Sequence, residues 1–183
     1  MTRRRSAWML TATALAMAVS VPAFAGGDDD GDDDDNGGSR GDSTLVCRGT
    51  IGARSVDGDV RVPAGARCVL NRTRVDGNVL VSRNARLVTR AARVDGNIQA
   101  TGHRSVDVRN GSVDGNIQLK SGGAAQVHRV NINGDLQAFS NRGAQVFRTN
   151  RIDGNLQCKS NRPAPRGGAN VVDGNKENQC RRL

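Results

Sequence analysis

The chain has 183 residues, of which 27 are Lys or Arg and 18 are Asp or Glu, for a formal net charge of +9, and only 2% are aromatic. So few aromatics leave little with which to stack on bases or sugars. The basic balance favours polyanionic partners, and four cysteines suit an exported, oxidised protein.

The chain opens with Arg3, Arg4 and Arg5, an apolar run over 7–21 and the small-x-small triplet Ala23-Phe24-Ala25. This three-part pattern predicts a secretory signal peptide over 1–25, cut after Ala25. The apolar run is too short to span a bilayer comfortably. Arg3-Arg4 lacks the apolar pair that normally follows a twin-arginine signal, so the general secretory route is expected. No cysteine lies near the cut to carry a lipid anchor.

Residues 26–42, "GGDDDGDDDDNGGSRGD", carry seven aspartates among glycines before Asp42 and nothing apolar to bury. Such a segment is expected to stay disordered as an acidic spacer, with loose Ca²⁺ binding as the alternative. Arg40-Gly41-Asp42 spells an adhesion tripeptide, a pattern short enough to recur by chance. Four of the 27 basic residues and eight of the 18 acidic ones precede residue 43, which leaves 23 against ten, or +13, on residues 43–183.

That remainder repeats. "VDGN" occurs at 75–78, 94–97, 113–116 and 172–175, with "VDGD" at 56–59, "INGD" at 132–135 and "IDGN" at 152–155. The turns begin at Val56, Val75, Val94, Val113, Ile132, Ile152 and Val172, spaced 19, 19, 19, 19, 20 and 20 residues apart. A fixed period near 20 is the mark of a solenoid. Four and six residues into each repeat stand Val60/Val62, Val79/Val81, Ile98/Ala100, Ile117/Leu119, Leu136/Ala138 and Leu156/Cys158, flanking a mostly polar residue such as Gln99 or Gln118. This is the alternation of a half-buried strand. A second strand is expected twelve and fourteen residues in, at Cys68/Leu70, Leu87/Thr89, Val106/Val108, Ala125/Val127 and Ala144/Val146. The repeated Val or Ile marks a third inward position.

Three short strands per coil predict an all-β, single-stranded parallel β-helix of six to seven roughly triangular coils, stacked about 4.8 Å apart. A hairpin ladder, the usual meaning of Asp-Gly between apolar runs, would reverse the chain at every turn and lose the phase. Propellers need longer repeats, and leucine-rich repeats need a Leu framework. A left-handed hexapeptide helix needs a six-residue rhythm, so right-handed winding is expected. Cys47 and Cys68 are 21 residues apart and Cys158 and Cys180 are 22 apart, each close to one repeat. Of the three possible pairings, the expected one is therefore Cys47–Cys68 and Cys158–Cys180, a staple at each end. Without a paired C-x-x-C, a zinc site is not expected.

The period, the short aliphatic coils and the turn-Gly-x-aliphatic rhythm over about 56–175 resemble bactofilin-type triangular β-helices, cytoskeletal scaffolds that polymerise through open end coils. The signal peptide, cysteines and arginines depart from that family. The endings Gly154–Cys158 ("GNLQC") and Gly174–Cys180 ("GN…QC") are similar to those of small secreted bacterial β-helix proteins, a resemblance that implies no activity.

Asp57, Asp76, Asp95, Asp114, Asp153 and Asp173 share one register. They are expected to cap their own turns by accepting backbone N–H groups, with the following Gly supplying a positive φ. The alternative is a row of cation sites at Asp76, Asp95 and Asp114. Arg74, Arg93 and Arg151 stand just before such turns, placed to neutralise them. Two positions after the aspartates, Asn78, Asn97, Asn116, Asn155 and Asn175 form an expected stacked amide ladder, as do Gln99, Gln118, Gln137 and Gln157. Arg72, Arg74, Arg90, Arg93, Arg109, Arg129 and Arg148 fall in neighbouring registers and predict a basic stripe along one edge. Its partner would be an anionic polymer: a cell-wall polyanion, lipopolysaccharide or nucleic acid. The alternative is a solvated surface. No catalytic constellation or cofactor motif stands out, and His103 and His128 are isolated from each other in register. The expectation is a secreted, non-enzymatic, monomeric scaffold; the alternatives are a small lyase-like polysaccharide enzyme and a self-assembling polymer. Lys176, Glu177 and Asn178, standing where aliphatic, Gln and inward residues recur, predict a closed C-terminal coil.

Overall fold

Because apolar residues recur every second position within each short strand and every 19 or 20 residues along the chain, a coil buries its inward side chains only by stacking on its neighbours. A computed structural model describes residues 43–183 and shows this arrangement: a parallel β-solenoid of about seven coils, with no helix among the described residues. The expected signal peptide and acidic spacer lie outside the described residues.

Every coil contributes one strand to each of three parallel sheets. The first sheet runs from Thr44–Val46 through Asp59–Val62, Val79–Val81, Ile98–Thr101, Ile117–Lys120, Leu136–Phe139 and Leu156–Lys159 to Lys176–Asn178. The second runs from Thr50–Ile51 through Arg67–Asn71, Arg86–Arg90, Ser105–Arg109, Ala124–His128 and Gln145–Arg148 to Arg166–Gly168. The third is made of two-residue strands, from Ser55–Val56 to Val171–Val172. Pairing is in register, so Val60, Val79, Ile98, Ile117, Leu136 and Leu156 form one continuous column, each fully buried. Each such side chain contributes about 1.5–3 kcal/mol by leaving water.

The two disulfides pair as expected, Cys47–Cys68 and Cys158–Cys180, with Cα atoms 5.5 Å and 5.3 Å apart. Lys176 takes the place of Leu156 in the next coil, is half-buried, and donates from Nζ to the Asn170 carbonyl oxygen at 2.9 Å.

One expected core pair is displaced. Ala144 is exposed and Val146 half-buried, whereas Gln145 and Phe147 are buried. The cause is the first 20-residue coil. Its extra residue enters between Phe139, which still pairs with Lys120, and Gln145, which pairs with Ala125. Every later residue of the strand therefore moves by one, which turns each side chain to the opposite face. Arg148 thus stacks on His128, and Phe147 stacks on Val127.

The three corners solve the chain reversal differently. After the first sheet the corner residues are Gly65, Asn84, Gly102, Ser121, Ser140 and Ser160, all with positive φ. After the second sheet they are Arg72, Ala91, Asn110, Arg129, Thr149 and Ala169, with φ of 50–56°. The Asp-Gly corner needs no such residue: of its glycines only Gly58 has a positive φ. The expected role of these glycines is corrected accordingly. A Cβ on Gly96 would lie 2.7 Å from Asn78 Oδ1 and from the Gly77 carbonyl oxygen, so what selects glycine there is the coil below.

The expected capping role of the aspartates also moves. No backbone N–H donates to Asp57, Asp76, Asp95, Asp114, Asp153 or Asp173 among the described residues. The side chains two positions on perform that task. Asn97 donates from both its backbone N–H and Nδ2 to Asn78 Oδ1 at 2.9 Å, and Asn116 does the same to Asn97. Asp59 starts the ladder, where only an acceptor is needed, and receives Asn78 N–H at 2.7 Å. Asp135 continues it, accepting Asn155 N–H at 2.7 Å. The glutamine ladder closes in the C-terminal half, where Gln137 donates to Gln157 and Gln157 to Glu177, both at 3.1 Å.

Two inner ladders complete the C-terminal coils. Asn141 donates from N–H and Nδ2 to Asn161 Oδ1, Asn161 does the same to Gln179 Oε1, and Asn150 does the same to Asn170 Oδ1. Asn141, Asn150, Asn161 and Asn170 are buried and also bond main-chain carbonyl oxygens, which satisfies their amides away from water.

Gly96→Ala is expected to destabilise the solenoid by about 1–3 kcal/mol through overpacking. Gly65→Asn, at a positive-φ corner with open space beside it, is expected to cost less than about 0.5 kcal/mol. Urea unfolding of both variants tests this; an equal cost would return the Asp-Gly glycines to a conformational role.

Candidate functional site

At the corner between the second and third sheets, three columns of residues run side by side along the solenoid. The last strand positions of the second sheet stack as Asn71, Arg90, Arg109, His128 and Arg148. The positive-φ column beside them includes Arg72 and Arg129. The first positions of the third sheet stack as Arg74, Arg93, Ser112, Asn131 and Arg151. Parallel in-register pairing thus brings Arg72, Arg74, Arg90, Arg93, Arg109, Arg129 and Arg148 to one edge, and all seven are exposed. Two shallow grooves flank that edge. One is lined by Arg93, Asn110, Ser112, Arg129 and Asn131, the other by Arg109, Gln126, His128 and Arg148.

Two of the seven carry their own counterions. Arg74 Nε lies 2.9 Å from Asp76 and its other arm 2.6 Å from Asp95. The hydrogen bond to Asp76, with the charge of Asp95 behind it, raises the pKa of this guanidinium above its ordinary value. Arg109 lies 2.6 Å from Asp107 and also donates to Gln126 at 2.9 Å. Arg151 repeats the Arg74 arrangement, 3.3 Å from Asp153 and 2.8 Å from Asp173. Arg93 makes no such contact within the described residues. The space between Asp76 and Asp95, considered above for a metal ion, is therefore spanned by a guanidinium, and Asp114 accepts Asn133 Nδ2 at 3.4 Å. These exposed pairs contribute little to stability, but they set the arginines that hold a counterion apart from those that hold none. Arg72, Arg90, Arg93, Arg129 and Arg148 have no carboxylate within 4 Å among the described residues.

The two histidines differ in setting. His128 is half-buried in the cationic column, between Arg109 and Arg148. His103 is buried at the corner after the first sheet, with its ring over Gly122, where an added Cβ would sit 2.3 Å from Cε1 and Nδ1. Its Nδ1 lies 3.3 Å from the Ala100 carbonyl oxygen, and Nε2 is buried without a partner. The inner asparagines and His103 were not identified as paired corner residues from sequence. The usable signal was a small residue followed by Asn at two repeat positions, Ser140-Asn141 with Ser160-Asn161 and Thr149-Asn150 with Ala169-Asn170.

Comparison with family models, with curated proteins and with solved structures finds no match. The geometry of the chain itself is therefore what bears on its function.

Burial lowers the pKa of His103 below 6.5, and the contact with Ala100 only partly opposes this. The unfolded chain takes up the proton more readily than the folded one. Stability is therefore full above about pH 6.5 and declines as pH falls from there through the folded pKa. Urea midpoints measured between pH 7 and pH 5 should fall for the native protein and fall less for His103→Gln. Equal slopes would exclude His103 as the titrating group.

Proposed function

We propose that this protein is a secreted structural or interaction scaffold that holds anionic polymers at the cell envelope along its arginine corner. One observation carries the reading: Arg72, Arg90, Arg93, Arg129 and Arg148 converge on one edge without carboxylate partners among the described residues. Stacking like charges in register costs free energy, and an anionic polymer laid against them would relieve that repulsion and release its own counterions. The net charge of +13 on residues 43–183 supports the same reading. Two disulfides fit a compartment outside the cytoplasm, and secretion follows from the proposed signal peptide. The proposed function needs no cofactor and no catalytic group.

The bactofilin-like alternative would add end-to-end assembly. The polar strand Lys176–Asn178 and the turn tied down at Cys180 make the C-terminal coil a poor template for another coil, so the proposed state is a monomer.

Heparin and DNA resins should retain residues 43–183 at low salt and release them steeply as salt rises. Replacing Arg90, Arg93, Arg129 and Arg148 with Gln should lower the eluting salt markedly. Flow-through of the native protein at low salt would remove the proposal. Ca²⁺-dependent cleavage of an acidic polysaccharide would replace it with the lyase-like alternative.

A further inference from the structure

We infer that the arginine corner selects a linear acidic polysaccharide with one carboxylate per sugar, laid along the solenoid axis with one sugar per coil. The inference rests on the polyanion-binding reading and names the ligand class. Its basis is spacing. Arg90, Arg109, His128 and Arg148 occupy four successive coils in one register, with no coil skipped. Adjacent strands of a sheet lie about 4.8 Å apart, so the column offers a nitrogen donor at each such step. That step is close to the length of one pyranose in an extended chain. The phosphates of duplex DNA recur about every 3.4 Å along each strand, so they miss the next coil by about 1.4 Å and come near register only at every second coil.

The lining of the grooves points the same way. Beside the column, Asn110, Ser112, Asn131 and Gln126 present amide and hydroxyl groups suited to sugar hydroxyls. Bases would need aromatic platforms. The described residues hold two aromatics, and neither lines these grooves: Phe147 is fully buried, and Phe139 belongs to the first sheet. Arg109 is held in place by Asp107 and Gln126, which fixes one rung of the column before any ligand arrives.

The test is a binding titration of the native protein with three probes at one ionic strength: oligogalacturonate, the same oligomer methyl-esterified, and duplex DNA of equal charge number. At least tenfold tighter binding of oligogalacturonate than of DNA, lost on esterification, is expected. Arg90→Gln with Arg148→Gln should weaken oligogalacturonate at least tenfold, whereas Arg181→Gln with Arg182→Gln, on the C-terminal turn, should change it less than twofold. Circular dichroism of each variant establishes that the β-structure is intact. Equal binding of oligogalacturonate and DNA would overturn the spacing inference and leave the polyanion reading standing. Binding of no probe would overturn both. A preference for oligogalacturonate that survives Arg90→Gln with Arg148→Gln would place the site elsewhere and overturn the inference.

Discussion

Each coil of this solenoid must find its neighbour in one register, and the Asx side chain at the Asp-Gly corner enforces that register. An amide in this position has an oxygen that receives the backbone and side-chain N–H groups of the next coil, and a nitrogen that reaches back to the coil before. Only Asn supplies both halves. Asp supplies the acceptor alone, which suffices at Asp59, the first rung. At Asp135, within the ladder, the bond back to Asn116 is limited to the backbone N–H, at 2.8 Å. From Gly77 on, the glycine beside each rung is a consequence of the same geometry, because the oxygen of the rung below and the adjacent carbonyl leave no room for a Cβ. The aliphatic columns supply most of the favourable free energy, but apolar contact is not directional; the ladder specifies which residue lies over which.

From that register the charge pattern follows. A residue type repeated at one position becomes a column on the surface, so a recurrent arginine becomes a basic edge. Where Arg precedes the Asp-Gly turn by two residues, as at Arg74 and Arg151, the guanidinium bridges the carboxylates of its own coil and the next. One position beyond the second sheet, and at that sheet's last position, no aspartate recurs to do the same. Pairing thus neutralises Arg74, Arg109 and Arg151 and leaves Arg72, Arg90, Arg93, Arg129 and Arg148 without carboxylate partners among the described residues, which is the physical ground of the proposed binding role.

Much of this was legible in the chain. The 19–20 residue period and the alternation around Val60/Val62 or Ile117/Leu119 dictate the coil, its inward columns and the end-coil disulfides. What was hidden depended on single-residue accounting or on the third dimension. One inserted residue between Phe139 and Gln145 exchanged inward for outward, and periodicity alone does not show where within a coil an extra residue is absorbed. The Asp and the Asn of "VDGN" are both short polar residues that favour turns, and only the stacked backbone shows that Asn bonds the neighbouring coil while Asp76, Asp95, Asp153 and Asp173 turn to arginine. Asn141, Asn150, Asn161 and Asn170 look like loop residues in sequence; they are buried because a positive-φ residue before each turns it inward. The inserted residue also moved Arg148 out of the Arg129 register and onto His128, and the division of the arginines into paired and unpaired members required side-chain geometry.

The solenoid depends on the Asx rung as the element that locks coil to coil. Comparison of Asn97→Ala with Asp95→Ala in urea unfolding tests it most directly. Asn97→Ala removes the acceptor for two N–H groups of Asn116 and the bond back to Asn78. It should cost about 1–3 kcal/mol. Asp95→Ala removes an exposed ion pair with Arg74 and should cost less than about 1 kcal/mol. An Asn97→Ala cost no greater than that of Asp95→Ala would contradict the account.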